Sequence, residues 1–141
     1  MATDTVYDAI RDYVEANWSA TGLDRLMWEN EPQPQGSGPI IAIEMHGTYY
    51  GQESIGEDVQ ANNRWDEEGI LWAHCMVEAQ SGARYSRELA RRFAELFRGT
   101  TLLSGSLEFM DASIGLGGGL DRMEGNWWGV TVSIDWRRMD A

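Results

Sequence analysis

Two histidines, one cysteine and a run of glycines are the residues of this sequence best suited to chemistry. Each can be weighed by its neighbours. His46 and His74 lie 28 residues apart on stretches that read as β-strands. A zinc site needs three or four ligands from His, Cys, Asp or Glu, and neither histidine has such company in the sequence. His74 and Cys75 are adjacent, so on a strand they point to opposite faces and cannot easily form a thiolate–imidazole pair. Cys75 falls among Leu71, Ala73 and Val77 and reads as a small core residue. Gly115, Gly117, Gly118 and Gly119 form a GxGGG cluster. A phosphate-binding loop would have a helix after it and usually a Lys-Ser/Thr pair. Here a strand is expected on both sides and the chain has no lysine, so the cluster reads as a turn between strands.

Carboxylates are abundant, and groups such as Glu57/Asp58 and Asp66/Glu67/Glu68 arise by chance among 23 acids. Glycosidase chemistry needs two of them held at a fixed separation in a cleft, and nothing singles out such a pair. No G-x-S-x-G elbow is present. The expectation is a chain with no catalytic residue, no bound cofactor and no metal. Its seven tryptophans are a richer signal. Trp128 and Trp136 suit a core, whereas Trp65 and Trp127 fall in or beside loops, where aromatics mark binding surfaces for proteins or carbohydrates.

The elements that must position these residues follow from periodicity. Val6, Ile10, Tyr13, Val14 and Trp18 make the apolar stripe of an opening helix, with Thr3, Asp4 and Thr5 as N-cap candidates. Asp4, Asp8, Asp12 and Glu15 share another face, read as solvated. Leu26-Met27-Trp28 is a short apolar run, and the three prolines between Pro32 and Pro39 make the next stretch a loop. Ile40–His46 reads as a strand. Residues 47–68 are polar and acidic yet carry Tyr49, Tyr50 and Trp65, which suits a long hairpin tip or arm. Gly69–Ala79 is apolar on both faces and reads as a central strand covered on both sides. Ala83–Arg98 is the clearest helix. Tyr85, Leu89, Phe93, Leu96 and Phe97 form its apolar arc, opposite Arg84, Arg87, Arg91 and Arg98, with Gly99 as the stop. Leu102–Ser113 is a looser β-run. Trp128 to Arg137 alternates as a half-buried strand. The order is α-β-β-α-β-β, an α+β domain spanning residues 1–141, with two helices on one face of a mostly antiparallel sheet.

Charge adds a polarity. The chain has 23 acids against 11 bases, all arginine, for a formal net of −12. Residues 1–70 hold 14 acids and 3 arginines, and residues 71–141 hold 9 acids and 8 arginines. Such a balance argues against coating nucleic acid or anionic lipid. An acidic half and a charge-balanced half can pair between copies. No apolar run is long enough to span a membrane, and the acidic N-terminus does not read as a signal peptide. One cysteine rules out an internal disulfide, which fits a reducing compartment.

The layout as a whole resembles the tail terminator family of long-tailed bacteriophages and phage-like gene transfer agents, the minor tail protein U-like or tail-completion proteins. The resemblance covers nearly the full chain. It runs from the helix Tyr7–Trp18 through the segment Leu26–Pro32 and the strand Pro39–His46 to a long polar excursion. It continues with the strand Gly69–Val77, the helix of SGARYSRELARRFAELFRGTTLL and the final GNWWGVTVSIDW. The resemblance implies a structural protein of the virion or particle, assembled in the bacterial cytoplasm. It would form a ring, expected to be a hexamer, that caps the tail tube, stops its growth and meets the head-side connector. DNA would pass through without specific binding, and no membrane is involved. The other readings left open are another neck or tail-completion protein, or a small carbohydrate-binding module. The candidate subunit-contact or lumen residues are Tyr49, Tyr50, Glu53, Glu57, Asp58, Trp65, Arg84, Arg87, Arg91, Arg98 and Trp127.

Overall fold

A computed structural model describes residues 3–18, 25–31, 38–52, 65–78, 80, 82–114 and 127–139. The elements in chain order are α1 (Asp4–Asn17), β1 (Arg25–Met27), β2 (Ile40–Gln52), β3 (Trp65–Glu78), α2 (Arg84–Leu96), β4 (Thr101–Leu102), β5 (Leu107–Ile114) and β6 (Trp127–Met139). The strands form one six-stranded sheet in the order β1-β2-β3-β6-β5-β4. Only the β1–β2 pair is parallel. The fold is α+β, with both helices on one face.

The face under the helices is built by strict alternation. Ile41, Ile43 and Met45 of β2 join Leu71, Ala73, Cys75 and Val77 of β3, and Val130, Val132, Ile134 and Trp136 of β6. Val6, Ile10 and Val14 from α1 and Leu89, Ala90 and Phe93 from α2 close the same cluster. Full burial of each such side chain stabilises by about 1.5–3 kcal/mol, so the packing of the two stripes on the sheet dominates the fold's stability. Cys75 is fully buried here, as its neighbours in sequence imply.

Polar groups fix the helices on this surface. The Ser86 hydroxyl of α2 donates to the Cys75 carbonyl and accepts from the Val130 amide at 3.2 Å, bridging two residues paired across β3 and β6. Thr3 is the N-cap of α1, but its hydroxyl makes no cap bond within the helix. It donates instead to the buried Glu67 carboxylate at 2.9 Å, and Glu67 also faces Arg138 at 3.4 Å. Tyr13 donates to the Leu96 carbonyl and so ties α1 to the end of α2.

Two expectations need correction, the element order and the covering of β3, and the bounds of a third are narrowed. The element order α-β-β-α-β-β omits the short strands β1 and β4. Three and two residues are too few to show an alternation, and β4 is separated from β5 by Leu103, Ser104 and Gly105 at φ 54°, 58° and 90°. The β3 strand is central but has helices on only one face. On the other, Ile70, Trp72 and Met76 are half-buried, and Trp72 packs against His46 with ring centroids 4.6 Å apart. The proposed arm is entered by ladder from both ends. The β2–β3 pairing continues past a bulge at Gly47/Tyr49 to Gln52 and Trp65. Residues 53–64, including Glu53, Glu57 and Asp58, lie outside the described residues, as does the GxGGG cluster.

Candidate subunit interface

The α2 helix divides as its sequence requires. Ser86, Leu89, Ala90 and Phe93 face the sheet, and Arg84, Arg87 and Arg91 face solvent. Arg84 is 88% exposed and reaches Glu88 at 3.5 Å, while Arg91 reaches Glu95 at 3.1 Å. Exposed pairs of this kind contribute only about 0.3–0.5 kcal/mol, so they leave the guanidinium groups ready for a stronger partner. Arg87 and Arg98 make no ion pair among the described residues. Arg92 differs from its neighbours. It lies 5.0 Å over the Trp18 ring and marks the flank of α2 that faces α1.

On the opposite flank, α2 and β5 enclose a groove of about 280 Å³. Arg91, Glu95 and Arg98 line its helix side, and Met110, Asp111 and Ala112 line its sheet side. A register shift between Phe109 and Ala112 turns Met110 outward. The β4 strand pairs only with Leu107 and Glu108. The remainder of β5 therefore has no described strand on its outer side. Four large apolar side chains are exposed among the described residues, and Met110 and Ile114 on this edge are two of them.

At the far end of the sheet the charge is reversed. Tyr7 and Arg11 of α1 pack on Trp28, which follows the edge strand β1. Arg11 pairs with Glu31 and with Glu15, and with Tyr7 these contacts hold its pKa well above the ordinary value. Asp4, Asp8 and Glu15 stand one turn from Tyr7 and Arg11 and so share their flank. All three are exposed, and so is Asp12. Along the β1 edge a groove of about 390 Å³ is lined by Trp28, Glu29, Glu31, Glu44 and His46. The α2 end of the sheet exposes arginines interleaved with Glu88, Glu95 and Asp111, and the α1 end exposes mainly carboxylates.

No family model matches this sequence, and no curated protein is similar to it. Seven solved protein chains match it in structure. One of them aligns over 98% of this chain and 96% of its own length, with a TM-score of 0.61 at 17% sequence identity. That likeness is one of fold.

The other candidate residues are spread. Tyr49 and Tyr50 lie on β2 opposite Glu68 and Glu67 and are 42% and 59% exposed. They stand apart from the α2 arginines, because α2 packs on β3, β6 and β5. Trp65 opens β3, and its side chain lies outside the described residues. Trp127 opens β6 opposite Glu78 and is half-buried.

Sequence reasoning missed a polar string on the helix-free face. The Glu44 carboxylate lies 3.4 Å from His46 Nε2 and 3.5 Å from His74 Nε2, and His74 Nδ1 lies 2.8 Å from the Thr131 hydroxyl. Glu44 and His46 are two apart on β2, and His74 pairs with Ala42, so strand pairing was the missing information. Partial burial raises the Glu44 pKa, but the hydrogen bond with His46 and the interactions with His74 outweigh it, leaving the group below its ordinary value. Among the described residues no group of three or more His, Cys, Asp or Glu is arranged to hold a metal ion. Cys75 points to the opposite face, under the helices, so the hydroxyl that meets this string is that of Thr131.

Proposed function

We propose that this chain is a structural assembly protein of a tailed phage or gene transfer agent particle. In this reading it is the subunit of a ring that caps the tail tube, ends its polymerisation and joins it to the head-side connector. The observation that carries the reading is that exposed arginines of α2 and exposed carboxylates of α1 stand at opposite ends of one sheet. A closed ring needs head-to-tail contacts between two different surfaces of the same chain, and the α1 carboxylates and α2 arginines provide a matched pair. The resemblance to tail terminators over nearly the full chain, from the opening helix to GNWWGVTVSIDW, supports a place in the tail or neck of the particle. The net charge of −12 supports a conduit role, because an acidic lumen lets DNA slide past where a basic one would grip it. The role proposed is mechanical, with no turnover.

Adding the purified chain to tail tube protein during polymerisation tests this. The expected result is tubes of arrested length with extra density at one end, seen by negative-stain electron microscopy. Tubes that grow with and without the chain to the same lengths, with bare ends, would overturn the reading.

A further inference from the structure

The part of β5 with no described strand on its outer side and the groove beside α2 offer room for an occupant. We infer that it is the β1 end of a second copy of this chain, set so that the sheet continues from one copy to the next. The inference rests on the ring reading and deepens it by naming the two surfaces that meet.

Three observations fit together. The part of β5 beyond its pairing with β4, which has no described strand on its outer side, exposes Met110 and Ile114, and a strand edge with apolar side chains on it is a template for another chain. β1 forms the opposite edge of the same sheet. If β1 of the next copy lies along β5, the two sheets run on, and helices carried on the same face come side by side. The arginine flank of α2, turned away from its own α1, then meets the neighbour's α1 on the flank beyond Tyr7 and Arg11.

The exposed charges on and beside those flanks are of opposite sign. Asp4 and Asp8 lie on the α1 flank about 6 Å apart along the axis with Asp12 on the solvent face a turn further on, and Arg84, Arg87 and Arg91 rise about 10.5 Å along α2, at 1.5 Å per residue. Asp8 and Asp12 make no ion pair among the described residues, and Arg98 stands at the mouth of the groove. Arg87, and Arg84 and Arg91 held only in exposed pairs with Glu88 and Glu95, are therefore brought towards exposed carboxylates of α1 by the same step that covers β5. Because the contact joins unlike surfaces, it repeats around a ring if the rotation closes and along a fibre if it does not.

A charge exchange tests the contact. In one variant Asp8→Arg and Asp12→Arg are combined, and in another Arg87→Glu and Arg91→Glu. All four sites are exposed, so the melting temperature of each variant reports whether the monomer is intact. Size-exclusion chromatography with light scattering, at low salt and over a wide concentration range, reads the assembly. Wild-type chain should assemble, and each variant alone should need a roughly 100-fold higher concentration, because like charges then face each other. Mixed in equal amounts, the two variants should assemble again in alternation. Met110→Asp should weaken assembly without touching either row.

Variants that assemble as the wild type does would overturn this contact and leave the ring reading standing. Wild-type chain that stays monomeric throughout would also overturn the contact, while the tube-capping experiment judges the ring separately. Open fibres that respond to the exchange would keep the contact and overturn the ring.

Discussion

Gly69 occupies a point where β2 and β6 leave no room for a side chain. A Cβ there would stand 2.0 Å from the His46 carbonyl oxygen and 2.4 Å from the Trp136 ring. The indole of Trp136 is fully buried against this gap, so the glycine is what allows the largest core side chain to lie flat on the sheet. Gly69→Ala should destabilise by about 1–3 kcal/mol, the usual cost of overpacking, seen as a lower urea midpoint with an unchanged slope. Glu44 makes a different prediction. Its folded-state pKa is depressed, so its pairing with His46 and His74 contributes stability above the unfolded carboxylate value. That contribution is lost as pH falls through the folded value. The melting temperatures of the wild type and of Glu44→Gln should therefore differ at pH 5 and converge on further acidification. A gap that stays constant down to pH 2.5 would show that the string does not titrate.

At the scale of elements, periodicity did most of the work where a face is buried. Val130 to Trp136 and Leu71 to Val77 alternate because every second residue meets the helices, and α2 carries its stripe for the same reason. The sequence was opaque where strand residues are polar. Asp66 and Glu67 look like arm residues, yet both are buried in the ladder, because Arg137 and Arg138 come from β6 to meet them. Nothing in the local pattern announces a partner 71 positions away. The same limit hid the groove. Arg91 and Arg98 were legible as a helix face, but Met110 joins them only through the bulge in β5. The two kinds of ion pair should behave differently. Glu67→Ala removes a buried acceptor from Thr3 and Arg138 and should cost about 1.5–3 kcal/mol. Glu95→Ala breaks only an exposed pair and should stay within about 0.5 kcal/mol. Chemical denaturation of the two variants side by side checks the contrast.

For the whole molecule, what matters is the separation of charge along the sheet. The net charge of −12 was legible from composition, as was its concentration in the first half. The fold adds direction. It sets α1 with its carboxylates at the β1 edge and α2 with its arginines beside β5, so that exposed arginines, interleaved with Glu88 and Glu95, stand at one end and exposed carboxylates at the other. In the proposed ring each end meets the other end of the next copy. A subunit built in this way forms closed rings when successive copies turn by a constant angle. Negative-stain class averages of the chain bound at the ends of tail tubes test this most directly. A ring-shaped cap of identical subunits at one end of each tube is the predicted image. Tubes with bare ends, beside a chain that remains in solution as monomers, would contradict it.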